Sequence, residues 1–317
     1  GDSRLASRGW FATANRSERW VGRAQILLST VGFGTIGIFA KVAYAGGVGA
    51  PLLLALRFLV ACAALWAFFL LFNRDAIRIG RKELFICAAL GLAGYGIFST
   101  LTFKAFELLH ASTVGPLFFS YPLFVILIDW VLTRERPAWQ LSAGAAIIAC
   151  GITVAVHSSL RDGSGLGLMF ALGGAAWYAA YVVAIRRLLV NVRPQTVALY
   201  VTTFAAAGFW LMSGPVFPRL HLVTGETWAV VMAIGLVSTV MALLSFFSGL
   251  EKLGSAEASQ IAVFELPLSL ALSVLVLSER IGLPLMVGTG LILSGIVAGQ
   301  LRFSERSNQG KDALCES

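Results

Sequence analysis

The stretch GFGTIG, residues 32–37, has the form G-x-G-x-x-G and lies between two apolar runs, ILLSTV and IFAKVA. In a dinucleotide-binding fold such glycines turn a strand into a helix whose N-terminus faces a pyrophosphate. An acid about 20 residues further on then holds the ribose hydroxyls. No Asp or Glu occurs between Glu18 and Asp75, so nothing reads the ribose. The glycines are better understood as small residues that let a membrane helix approach its neighbours closely.

Composition supports that choice. The chain is 58% hydrophobic and 13% charged, with mean hydropathy +0.83, against about 45–50% apolar and about 25% charged in soluble domains. A spanning helix needs about 20 mostly apolar residues. Ten such runs are predicted, at 24–44, 50–72, 84–106, 111–133, 138–157, 165–186, 195–216, 226–250, 256–278 and 283–302. The fold class expected is therefore an all-α membrane protein, with residues 1–23 as a basic tail, 303–317 as a second tail and almost no chain left for a soluble domain.

Lys and Arg concentrate in cytoplasmic loops, and here they alternate. Arg4, Arg8, Arg16, Arg19 and Arg23 precede the first helix. Arg74, Arg78, Arg81 and Lys82 follow the second, Arg134 and Arg136 the fourth, Arg186, Arg187 and Arg193 the sixth, Lys252 the eighth, and Arg302, Arg306 and Lys311 the last. Only Arg161, Arg219 and Arg280 occupy the other loops. Both termini are predicted cytoplasmic, and the net charge of +8 is read as facing anionic lipid rather than nucleic acid. Cys62, Cys87 and Cys150 fall in helices and Cys315 in the tail, which implies no disulfide framework. AYA at 43–45 looks like a signal-peptidase site. The apolar run before it is long for a signal peptide, and its loss would break the repeat that follows.

Shifting the chain by 143 to 145 residues brings ELLHAS (107–112) onto EKLGSA (251–256), SYPLF (120–124) onto ELPLS (265–269), RER (134–136) onto SER (278–280) and PLLLALR (51–57) onto PQTVALY (194–200). Gly144 and Gly151 meet Gly288 and Gly295. Agreement of Pro, Glu-Arg and Gly at one offset is hard to obtain from composition, and it is read as an internal repeat. Each half, 24–157 and 165–302, holds five helices. An odd number makes the second enter from the opposite side, so two inverted five-helix repeats are expected, the architecture of many secondary transporters.

The mid-helix Pro, the apolar run after it, the RERP or SERIG that follows and the glycine-spaced final helix occur twice. The pattern resembles the EamA-type proteins of the drug/metabolite transporter superfamily, over nearly the whole chain between the tails. The resemblance implies a ten-helix bacterial inner-membrane carrier that moves small metabolites by alternating access, often exporting amino acids, with no cofactor and no nucleotide hydrolysis. Among its branches the aromatic amino-acid exporters look nearest, because of the mid-membrane aromatics.

Residues expected at a substrate cavity are Tyr95, Ser99, Phe119, Ser120, Tyr121, Trp177, Tyr178, Tyr181 and Glu265. The aromatics lie away from the helix ends, where interface belts would place them, and buried hydroxyls need partners. Glu265, nine residues into its helix and roughly 13 Å deep at about 1.5 Å per residue, marks a function or a hydrogen-bonded core group. Its repeat partner is the uncharged Ser120. Pro122 and Pro267 each remove a helical hydrogen bond at equivalent places and are candidate hinges. Lys41 and Arg57 are candidates for an outer gate that contacts a substrate carboxylate, with snorkelling to the surface as the alternative. The competing functions are an intramembrane enzyme and a passive channel. There is no H-E-x-x-H, G-x-S-x-G or P-loop, and one Glu per chain makes no selectivity ring. The expected partners are a small-molecule substrate and membrane lipid, with a monomer sufficient; Gly295-x-x-x-Gly299 in the last helix fits close pairing with the fifth.

Overall fold

Long apolar runs with few charges satisfy their backbone hydrogen bonds internally, the only way a chain can cross hydrocarbon with helices. In the computed structural model, which describes residues 16–135, 137–162, 165–212 and 223–315, these runs are helical, and the described residues contain no strand. Among the described residues nine helices are long and apolar enough to span a membrane: α1 (Ser17–Ala45), α2 (Ala50–Phe72), α3 (Arg81–Leu108), α4 (Ala111–Thr133), α5 (Trp139–His157), α6 (Gly165–Leu188), α7 (Pro194–Met212), α8 (Gly225–Ser255) and α9 (Glu257–Leu277). A shorter apolar segment, α10 (Leu283–Gly299), follows, and its helix continues to Cys315.

Several boundaries differ from those expected. The first helix starts upstream of residue 24, so Arg19 and Arg23 belong to its first turns. The eighth runs beyond 250, so Lys252 is a helical residue rather than a loop one, and its ammonium donates to Gln25 Oε1 at 2.7 Å. The final helix passes through the segment assigned to a tail. Arg219 and His221 lie outside the described residues.

Close pairing follows the small residues. The helices α5 and α10 pack along one another. A Cβ built on Gly144 would stand 2.8 Å from the Gly295 carbonyl oxygen, and one on Gly151 would stand 2.7 Å from that of Gly288. The other principal pairs are α1 with α8, α3 with α6 and α2 with α7. Gly32, the first of the three glycines in GFGTIG, lies against α8, where a Cβ would sit 2.7 Å from that of Ala242. Gly32 thus serves close helix packing, and a Cβ on Gly37 would stand 2.7 Å from the Phe106 ring of α3.

Irregularities recur at matching places. α3 widens into a π-helical turn at Leu90–Tyr95 and α8 at Leu236–Met241. α4 breaks between Phe118 and Tyr121, and α9 between Ala262 and Glu265. The C-terminal ends of these broken helices finish on left-handed residues, Arg134 (φ 58°) and Ser278 (φ 55°).

Candidate functional site

The broken helices frame one large cavity of about 1510 Å³. At one end it reaches the exposed loop residues Glu135 and Arg193; its deepest lining on the other side is Phe103, Phe106 and Ala111. Beyond that floor the opposite face is held shut. Glu279 is buried, and its two carboxylate oxygens accept the N–H groups of Ala111 at 2.8 Å and Ser112 at 2.9 Å, capping the start of α4. Such charge-assisted bonds satisfy N–H groups that every helix start leaves unpaired. Nearby, Glu107 ties α3 to α2 by accepting the Ala50 N–H at 2.5 Å and the Lys104 ammonium at 2.6 Å.

The open end is framed by two clamps. Asp129 on α4 is paired with Arg186 and Arg187 on α6. Glu257 on α9 accepts Arg19 and Arg23 of α1, each at 2.7 Å. The cavity mouth therefore lies between an α4–α6 wall and an α1–α9 wall.

Aromatic rings line the midsection. Tyr178 meets Phe98 at 4.9 Å between centroids, Phe118 at 5.1 Å and Tyr121 at 5.1 Å; Tyr95 meets Phe98 at 5.0 Å and Tyr181 at 5.6 Å. The π-helical turn in α3 ends on Tyr95 and sets its side chain into this group. Edge and tilted arrangements of this kind contribute about 0.5–1.5 kcal/mol per pair beyond area burial, which makes a firm wall rather than a collapsible one.

Two charged groups face the same space. Arg57 is 3% exposed. Its Nε donates to Thr239 Oγ1 at 2.9 Å, and its guanidinium carbon stands 5.2 Å from the ring centres of both Phe58 and Phe103. Among the described residues its titratable neighbours are Tyr95 and Tyr44, and no acid pairs with it. Phe58 meets Tyr95 edge-on at 5.4 Å, which joins the guanidinium to the aromatic wall. Glu265 occupies the first turn after the break in α9, where a helix start favours an acidic group. Its neighbours include Tyr121 and Tyr178.

The expected site residues divide by direction. Tyr95, Phe119, Tyr121, Tyr178, Tyr181, Glu265, Arg57 and Pro122 line the cavity. Trp177 does not: it is 41% exposed on the outside of the bundle, and its indole donates to the Ala93 carbonyl at 2.9 Å. Ser99 and Ser120 are buried in helix contacts, the Ser120 hydroxyl donating to Leu117 at 2.5 Å. Pro267 faces outward. Lys41 borders a separate surface pocket with Tyr44 and Glu107. Phe98, Phe118 and Thr239 were not singled out in the sequence; Phe98 and Phe118 are rings among many in apolar helices, and the Arg57–Thr239 contact joins residues 182 positions apart.

With this geometry in view, the chain can be compared with known proteins. The EamA-like transporter family matches twice, over residues 20–156 and again over 165–298. The chain belongs to the EamA-like transporter family. It is also 25% identical over 297 residues to the uncharacterized transporter YcbK of Bacillus subtilis, covering 90% of this chain and 94% of that protein. It is 27% identical over 290 residues to an uncharacterized transporter of Archaeoglobus fulgidus, covering 88% and 97%. A solved crystal structure superposes with TM-score 0.60 at 23% identity, over 91% of this chain and 98% of the other, a likeness of fold. This EamA-like protein is thus a multi-pass membrane transporter.

Proposed function

We propose that this EamA-like transporter is a secondary carrier of two inverted five-helix repeats, in the inner membrane of a bacterium, that exports small metabolites by alternating access. One observation carries the reading: a single aromatic-walled cavity reaches the arginine-rich face and is closed at the other. Positive-inside asymmetry makes the arginine-rich face cytoplasmic, so both termini are cytoplasmic and the conformation is inward-open. The crossed glycine contacts, Gly144 with Gly295 and Gly151 with Gly288, support inversion. The repeat exchanges these two contacts, as a two-fold axis in the membrane plane would. The double family match supports duplication.

The cavity's chemistry favours a carboxylate-bearing solute, amino acids above all. A buried guanidinium without an acidic partner is costly, and a bound carboxylate completes it in bidentate fashion. The tyrosine and phenylalanine wall suits an apolar or aromatic side chain, and Glu265 is placed for the proton or the ammonium group. One chain encloses the whole cavity, so a monomer suffices. Counterflow in proteoliposomes tests the reading: labelled amino acids should exchange saturably, with neutral amide analogues competing poorly. Exchange of no carboxylate-bearing metabolite would remove it.

A further inference from the structure

The closed outer face has a counterpart at the open inner one. Glu279 follows Ser278, whose left-handed backbone (φ 55°) turns the chain at the end of α9 and delivers the carboxylate to the Ala111 and Ser112 N–H groups. Glu135 follows Arg134, in the same left-handed turn (φ 58°) at the end of α4, yet it is exposed on the cavity rim. The repeat maps Ala111 and Ser112 onto Ser255 and Ala256. These follow Gly254, whose φ of 79° and ψ of 167° interrupt the helix and begin a new one. A second helix start therefore stands where the repeat places a partner for Glu135.

The packing beside the latch repeats the relation. In their outer halves α4 and α9 touch: a Cβ on Gly115 would stand 3.4 Å from Ser269 Oγ. The repeat maps Gly115 onto Ser259 and Ser269 onto Val125, and these two both line the cavity.

We propose that Glu135 and Glu279 are alternating gate latches. In the inward-open state Glu279 caps α4. In the outward-open state Glu279 lets go, and Glu135 caps the helix start that follows Gly254, at Ser255 and Ala256, while Val125 closes onto Ser259. The inference rests on the alternating-access reading and deepens it. An exchange of one carboxylate cap for another keeps the two states close in free energy, as a carrier needs, because each state loses one cap and gains its equivalent.

The test uses paired cysteines in a chain whose four native cysteines are replaced. Val125→Cys with Ser259→Cys reports inner closure, and Gly115→Cys with Ser269→Cys reports outer closure. During turnover both pairs should form disulfides. Glu135→Gln, at a side chain exposed here and so harmless to folding, should slow the inner pair about tenfold, the expected loss for a charged hydrogen-bonded cap, and should speed the outer pair. Glu279→Gln should do the reverse. Inner cross-linking unchanged by Glu135→Gln would overturn the latch, and so would an inner pair that never closes in protein still active in counterflow. Failure of counterflow with Glu135-dependent cross-linking intact would instead remove the assigned solute and leave the latch standing.

Discussion

Arg57 sets the clearest conflict between stability and function in the molecule. Its charge is buried, one of its nitrogens is held by Thr239 and its plane is flanked by Phe58 and Phe103, with no acid beside it. An unpaired buried ion costs stability, and a neutral side chain in its place removes that cost. Arg57→Gln is therefore expected to leave thermal stability equal or higher while raising the half-saturating concentration of carboxylate solutes about 10–100-fold, the range for a lost charged hydrogen bond. Competition by neutral amides should move little. A drop in stability with unaltered selectivity would mark Arg57 as a packing residue. Glu265→Gln is the companion variant: it keeps the shape and a neutral hydrogen-bonding head but cannot exchange a proton. It should fold normally and lose any pH dependence of net transport, while counterflow exchange is affected less; an unchanged pH profile would assign Glu265 a structural role. Position along a span was legible for both residues in the sequence. Direction was not, as Trp177 shows. Adjacent residues on a helix point about 100° apart, so Tyr178 faces the cavity while Trp177 packs outward against Ala93.

Among elements, the α5–α10 pair is the most exacting contact. The Cβ of any larger residue at Gly151 meets backbone, the Gly288 oxygen at 2.7 Å and the Ile292 nitrogen at 2.9 Å, and backbone cannot rotate away. Gly151→Val should lower stability by about 1–3 kcal/mol, as overpacking does, seen as a lower midpoint of thermal unfolding in detergent. Gly290→Ala, on the same α10 but with nothing within 4 Å, should be neutral or slightly stabilising, since alanine is the better helix former. Equal effects of the two would show that the helices are not held at glycine distance. The glycine spacing and the shared prolines were readable in the sequence because they recur together at one offset. The π-helical turns at Leu90–Tyr95 and Leu236–Met241 were not. A register change of one residue leaves apolar composition untouched, and it is this change that turns Tyr95 toward Arg57's ring partner Phe58. The latch glutamates were visible as the RER and SER pair, but a role for them needed the Ala111 and Ser112 contacts, 168 and 167 residues away.

For the whole molecule, the inverted arrangement turns on where Arg193 lies. The repeat maps it onto Gly49, in the loop after α1. Parallel repeats would put both residues on the same face of the membrane, whereas inverted repeats put them on opposite faces. The arginine count predicts that Arg193 lies inside, with Arg78, because the asymmetry of loop charge is what orients a multi-pass chain. Single cysteines at Arg78, Arg193, Gly49 and Glu226 suit the test because all four positions are exposed. In a cysteine-free chain in intact cells, an impermeant maleimide should label Gly49→Cys and Glu226→Cys and spare Arg78→Cys and Arg193→Cys. Permeabilising the cells should make the spared pair react as fast as the others, which shows that the membrane and not local packing protected them. Labelling of Arg193→Cys from outside would put α6 in the parallel sense and take the crossed glycine contacts, the paired helix breaks and the exchange of latches out of a common symmetry. With Arg193 inside and Gly49 outside, the cavity mouth between Asp129 and Glu257 opens to the cytoplasm, and the closed Glu279 face is the one a solute must pass to leave the cell.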